Sequence, residues 1–530
     1  MSSVAANVLQ PGFGSLELTI PSMTLALAVI ILLPMVASYF MAGAKKGRMP
    51  PIINKPGPFQ LKIQKQFEFV FKGRELYERA KKESPGSPIK FLTNIGPMTV
   101  LPNDRATEIR HHPNLSFRAA FENLIPIGAP GSRVMGVLNH PDRIMQNVVK
   151  KHLINRLDSI TTPLVLEADY AVEKNFGNNP EWTECSIAKN TTDMVARLVS
   201  RIFLGPKLSR SEEWIDVTVN YSIAATIMLK TLRTLPIWLR RFVYWFSQPG
   251  KNYRRLYRKA EKLVSGLSEE RRKEQQDYAR RGEVPPSYND AIEWIDKEPR
   301  KSPVVVTDFQ LSLSVSSVHT TADLFTQVML QLATHPEVVD ALRAEILEVL
   351  PVHGFSKIGF NSLKLLDSAI KEAQRIKPLM TANMQRMVKK DTELSDGTFL
   401  PKGEMVAVEA AAKLRDPSKY PDPDKFDAWR FYRMRQQPGN EATAQLVSIT
   451  SDHLVFGYGT YVCQGRFFAG HQIKIALCHL LLKYDWKLAE GATIAPKWIG
   501  IDPITDSSVR LMCRRRKEEL DLCTLATEEK

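Results

Sequence analysis

Cysteine is scarce in this chain: there are five in 530 residues, at 185, 463, 478, 513 and 523, with irregular spacings and no CxxC pair. That excludes a cysteine-built structural zinc site and a disulfide framework, and it points to a reducing compartment. The formal net charge is +15, yet no run of basic residues is interleaved with aromatics as a nucleic-acid groove requires. The basic excess is left to an anionic membrane or an acidic protein partner. Internal repeats and low-complexity tracts are missing too, which leaves a chain of single-enzyme size. Hydrophobic residues make up 44% and charged residues 24%, ordinary values for a chain that buries a large core.

One long run carries no charge at all, MTLALAVIILLPMVASYFMAGA at 23–44. As a helix it spans ~33 Å, enough for a bilayer core. Lys45, Lys46 and Arg48 follow and should stay cytosolic, leaving residues 1–22 as a short lumenal N-terminus. A cleaved signal peptide fits less well, because the run is long, starts late and lacks a small-residue exit. Residues 45–60, with Pro50, Pro51, Pro56 and Pro58, read as a stiff proline-rich linker. With the domain in the cytosol, the N-x-S/T triplets at Asn114, Asn190 and Asn220 are chance matches.

Beyond residue 60 the pattern is mainly α with small β-sheets. Helical spacing covers 67–83 and most of 140–350, and alternation over 91–103 predicts strands. Short strands return over 385–410, with turns at Ser395-Asp396-Gly397 and Pro401-Lys402-Gly403. LPIWLRRFVYWFSQPG, at 235–250, is dense in aromatics. It reads either as a helix dipping into a membrane interface or as a buried core helix.

The decisive stretch is FGYGTYVCQGRFFA, residues 456–469. It fits F-x-x-G-x-x-x-C-x-G followed by alanine. A thiolate that approaches a flat macrocycle needs a thin, tightly turned loop. Gly457, Gly459 and Gly465 allow positive φ and leave no side chain against a ring. Phe456 can pack beside the sulfur. Helical spacing resumes at 466, so Cys463 precedes a helix N-terminus, where amides and the dipole favour an anionic ligand. The loop resembles that of the cytochrome P450 family. Glu372 and Arg375 fit the family's E-x-x-R, with both charges on one helix face that Pro378 closes. PDKFDAWRF, at 423–431, resembles its F-x-P-x-R-F segment, with Ala428 in place of proline. Ser316-Ser317-Val318-His319-Thr320-Thr321 occupies the place of A/G-G-x-D/E-T-T, with His319 replacing the acid. The His-Thr-Thr variant resembles fungal secondary-metabolism enzymes of the ent-kaurene oxidase kind.

The resemblance implies a cytochrome P450 fold over 61–515, with 516–530 as a charged tail. It implies haem b, with Cys463 as axial ligand and Phe456, Gly459, Tyr461 and Gly465 shaping the loop. Tyr461 stands where the family has Arg or His. Arg386 is the expected propionate partner, and Arg143 a second one. Glu372, Arg375 and Arg430 form a structural ion network, because a buried arginine needs partners. Thr320 and His319 are the expected proton-handling residues. Phe117, Phe121, Ile223, Met228, Leu313, Leu379, Met380 and Ile504 are candidate substrate contacts. The implied activity is a monooxygenase in the endoplasmic reticulum membrane. It acts on a hydrophobic terpenoid or meroterpenoid-like molecule with electrons from an NADPH-cytochrome P450 reductase, and Lys474 and Lys483 suit that partner's acidic face. Non-oxygenase chemistry on the same iron, or a catalytically silent membrane haem protein, are the competing readings.

Overall fold

The structure is a computed structural model that describes residues 48–124, 132–233, 235 and 237–528. The expected membrane span at 23–44 lies outside the described residues. Among the described residues, no helix is long and apolar enough to cross a membrane. The chain divides into a small unit, residues 1–49 with 393–399, and a large unit, residues 50–392 with 400–530. In the small unit the Arg48 amide donates to the Gly397 carbonyl at 2.8 Å, and Gly397 (φ 78°) makes the expected Asp-Gly turn.

The large unit is mainly helical. Its principal helices are α1 (Lys62–Glu83), α2 (Phe117–Leu124), α3 (Leu157–Phe176), α4 (Ile187–Leu204), α5 (Glu212–Arg233) and α6 (Ile237–Phe246). They continue with α7 (Gln248–Arg281), α8 (Val306–Leu332), α9 (Pro336–His353), α10 (Lys364–Ile376), α11 (Arg430–Arg435) and α12 (Arg466–Lys483). A twisted sheet joins β1 (Ile89–Thr93), β2 (Gly96–Leu101), β3 (Leu115–Ser116), β5 (Ala382–Val388) and β6 (Met405–Glu409) in the order β1-β2-β6-β5-β3. A second sheet places β10 (Leu511–Arg515) between β4 (Thr183–Cys185) and β7 (Tyr484–Leu488), and a hairpin pairs β8 (Lys497–Ile499) with β9 (Asp502–Ile504).

Helices α3, α4, α8 and α12 pack on one another around the main apolar core. A helix buried on all sides must be apolar, or paired, all round. Helix α12 shows the second case. Lys474 and Lys483 were expected on the surface, but Lys474 is buried on Asp367 at 2.6 Å and Lys483 is buried on Asp169. They hold the fold together and face no partner. The linker is likewise no free spacer from Pro51 onward. The Ile53 amide donates to Lys90 O at 2.9 Å, and buried Asn54 exchanges hydrogen bonds with the Leu92 backbone at 2.8 and 3.0 Å, so the segment lies along β1. The expected charged tail also packs down: Leu522 and Ala526 are core residues, and Thr162 donates to Ala526 O at 3.1 Å.

Helix α6 settles the reading of its aromatic run. Trp238, Phe242, Trp245 and Phe246 are exposed, at i, i+4, i+7 and i+8, so it is not a buried core helix.

Candidate active site

The loop before α12 is folded by its own backbone. Gly457 and Gly459 have φ of 79° and 82°, where a side chain is strained. A Cβ on Gly459 would lie 2.8 Å from the Arg110 Cβ. The Cys463 amide donates to Phe456 O at 2.8 Å and closes the turn, so Phe456 enters through its carbonyl. Gly465 departs from expectation: its φ is −77°, an ordinary helix-start value. What it supplies is room, since a Cβ there meets nothing within 4 Å.

Cys463 is accessible at the loop's tip. Its sulfur accepts from the amides of Gly465 and Arg466, as its place before a helix dictates. Crowding by surrounding protein nevertheless outweighs those amides and the Arg466 charge, and pushes the thiol above its ordinary range. A positive ion on the sulfur tips that balance towards the thiolate. Arg466 braces the loop through Cys463 O at 2.9 Å and Val447 O at 3.0 Å.

Arg386 comes to the same place from β5. Its guanidinium stacks 5.0 Å from the Tyr461 ring and 5.7 Å from the Phe117 ring. It donates to Gln385 O at 2.9 Å, but Nη2 is buried without a partner among the described residues. Burial lowers its pKa to about 10. Arg143 is exposed in the left-handed region (φ 52°), and among the described residues no contact joins it to the Arg386 group.

Behind the loop, Glu372 takes Arg375 in a two-pronged pair at 2.8 Å on each oxygen, and Arg430 at 3.0 Å. The remaining guanidinium protons go to backbone carbonyls, including Leu414 O and Pro423 O at 2.7 Å and Pro421 O at 2.6 Å. All three side chains are buried. This is the satisfied geometry that buried charges require.

Thr320 and His319 line a cavity of about 330 Å³ with Asp323, Leu379, Ile504 and Thr505 among its walls. Thr320 Oγ1 donates to Ser316 O at 3.2 Å. His319 is half-buried, and burial lowers its pKa, so it is a neutral ring whose Nε2–H donates to Val219 O at 3.2 Å. Two of the substrate candidates, Leu379 and Ile504, face the cavity, whereas Met228 and Leu313 are core residues.

Several site residues carried no sequence signal. Asp323, one turn after Thr320, binds Lys377 at 2.6 Å and Thr505 at 2.5 Å. Arg110 donates to the Tyr458 hydroxyl at 2.8 Å, and Thr460 pairs with His111 at 2.9 Å, so the segment before β3 clasps the loop. These residues lie far from the loop in sequence, beyond the reach of a local pattern.

Residues 143–501 match the family model described as Cytochrome P450. The chain is a cytochrome P450. This cytochrome P450 is 39% identical over 477 residues to cytochrome P450 monooxygenase hepE of Aspergillus oryzae, covering 89% of this chain and 86% of that one. It is 36% identical over 454 residues to cytochrome P450 monooxygenase TRI1 of Fusarium sporotrichioides, covering 85% and 82%. A structure of retinoic acid-bound cyanobacterial CYP120A1 superposes with a TM-score of 0.65 at 18% identity over 89% of this chain and 100% of that one, a likeness of fold. The cytochrome P450 is a monooxygenase with a haem-thiolate cofactor. Its residues fit that group: an accessible sulfur under two amides, glycines that keep side chains away, and a buried guanidinium with a free donor suited to a carboxylate.

Proposed function

We propose that this cytochrome P450 oxidises a hydrophobic small molecule of terpenoid or meroterpenoid kind in a secondary-metabolite pathway, with Cys463 as the axial ligand of haem b. The observation that carries the reading is the meeting of Cys463, Tyr461 and Arg386 at one loop, with Thr320 in a cavity walled by Leu379 and Ile504. When bound, haem would supply the O₂-activating, electron-accepting chemistry by which one oxygen enters a C–H bond. The chain's own residues do the rest. Arg386 and Tyr461 would hold a propionate by charge and hydrogen bond. Glu372, Arg375 and Arg430 keep the loop's support rigid. Thr320 holds a hydroxyl proton within the cavity, and neutral His319 fixes α8 against α5. Leu379 and Ile504 exclude water and orient an apolar substrate. The relative named Dihydro-ML-236C monooxygenase mlcC, from Penicillium citrinum, supports a small-molecule substrate.

Electrons come from NADPH-cytochrome P450 reductase. The exposed face of α6, together with exposed Phe59, Phe67 and Phe71 at the start of the large unit, rests on membrane lipid at the endoplasmic reticulum.

The test is a spectrum of the reduced, CO-treated protein in microsomes, followed by feeding of candidate terpenoids. A thiolate-type Soret band and products heavier by one oxygen are expected. Cys463→Ser should abolish both. A band unchanged in that variant sinks the assignment.

A further inference from the structure

The second sheet brings two thiols together. Strand β4 is a three-residue edge strand that pairs, among the described residues, with β10 alone, with Cys185 opposite Leu511 and Thr183 opposite Cys513. Paired positions share a face, so Cys185 and Cys513 are diagonal neighbours on one side of the sheet. The Cys185 thiol donates to the Cys513 sulfur, which holds Cys513 below and Cys185 above the ordinary cysteine range. Cys185 is half-buried and Cys513 buried, so a small oxidant meets Cys185 first.

Both strands adjoin, along the chain, segments that line the cavity that holds Thr320. Helix α4 starts just after Cys185, and its Ala188 and Thr192 line that cavity. Pro503, Ile504 and Thr505, on the segment leading to β10, line it as well.

We propose that Cys185 and Cys513 form a peroxide-sensitive modification site whose disulfide ties these two cavity-lining segments together. Cys513 first gives its proton to solvent, and the proton of Cys185 then passes to the Cys513 thiolate. The Cys185 thiolate attacks hydrogen peroxide, the O–O bond breaks, and a sulfenic acid forms with hydroxide leaving. That hydroxide takes the Cys513 proton and becomes water. Cys513 sulfur then displaces the sulfenic oxygen, which leaves as hydroxide and is protonated by solvent, closing the S–S bond. The sum is two thiols and one peroxide giving one disulfide and two waters, with two electrons passing to peroxide. Diagonal neighbours stand about 7–8 Å apart at Cα, and a disulfide needs less than about 7 Å. The edge strand must therefore shift by about 1 Å, which a strand paired on one side allows. The bond is a reversible one between otherwise reduced thiols, and no disulfide framework is involved.

The experiment treats the full-length haem-loaded enzyme with graded hydrogen peroxide, blocks free thiols, and maps peptides without reduction. The expected product is one cross-linked peptide pair, Cys185 to Cys513, lighter by two hydrogens and absent in Cys185→Ser. Oxidised wild type should unfold in urea about tenfold more slowly than reduced wild type, and imidazole should reach its haem more slowly. Neither change should appear in Cys185→Ser. Free Cys513 beside a sulfinic Cys185, or cross-linking without slower unfolding or slower entry, overturns the proposal. If Cys513→Ser fails to fold, the Cys185→Ser arm decides alone, since Ser replaces a half-buried edge residue there.

Discussion

Asn383 holds Leu454: its side-chain amide donates to the Leu454 carbonyl at 2.7 Å and reaches the next carbonyl, Val455, at 3.1 Å. Three steps along β5, Arg386 stacks on Tyr461 on the far arm of the same loop. An odd separation would send the two side chains to opposite faces of a regular strand. The ladder with β6 slips between Asn383 and Arg386, and Met384 there has φ 54°. This bulge lets one strand grip both arms of the cysteine loop.

Asn383→Ala removes three hydrogen bonds, the two donated to the loop and the one its oxygen accepts from the Met384 amide, and it strips the Val455 carbonyl of its side-chain donor while the Leu454 carbonyl keeps the Gly457 amide. The expected cost is about 1–3 kcal/mol, localised at the loop. In the CO spectrum a larger share of the variant should lose the thiolate-type band, while Asn383→Ser, keeping one donor, falls between it and wild type. A variant with the wild-type share removes Asn383 from this role.

How much of this was legible in the sequence follows from distance along the chain. The Glu372, Arg375 and Arg430 network was readable because E-x-x-R fixes two members at helical spacing. Asn383 was not, because a bulge is a property of register between two strands. Lys474 and Lys483 were misread for a related reason. Their partners Asp367 and Asp169 lie far upstream. Near the loop alone, a lysine on a helix looks solvated. Of the two properties expected of Gly465, positive φ is absent and room is present.

That distinction separates two glycine variants. Gly459→Ala puts a Cβ into strained backbone and against Arg110, so it should lower stability by about 1–3 kcal/mol. Gly465→Ala meets open space in the polypeptide and ordinary φ. It should leave the thermal stability of the haem-free chain within about 0.5 kcal/mol of wild type, while haem content falls. Equal melting losses in both variants would contradict the assignment of Gly465 to the haem face.

Glu372 carries two buried guanidinium groups. Glu372→Gln keeps the shape and removes the charge, so Arg375 and Arg430 stay buried without a counter-ion. The expected loss is about 3–5 kcal/mol. It should be seen as a sharp drop in urea midpoint and in recovered haem protein, with substrate KM unchanged in what survives. A midpoint shift below about 1 kcal/mol would place the pair among weak surface bridges instead.

Asp502 gives a pH-dependent test beside the cavity. Its carboxylate accepts from the Thr381 amide at 2.8 Å, but burial wins and raises its pKa to about 6. The unfolded chain releases this proton near pH ~4. Between about pH 4 and 6 the native state therefore binds more protons than the unfolded state, and stability falls as pH rises. The contribution is fully present below that window and lost above it, amounting to about 3 kcal/mol. Asp502→Asn retains an acceptor for Thr381 and cannot ionise. It should match wild type near pH 4 and exceed it at pH 7.5, the gap roughly doubling between pH 5 and 7.5. Urea midpoints across that range measure the gap, and one that is constant with pH would mean that Asp502 titrates as an ordinary surface carboxylate.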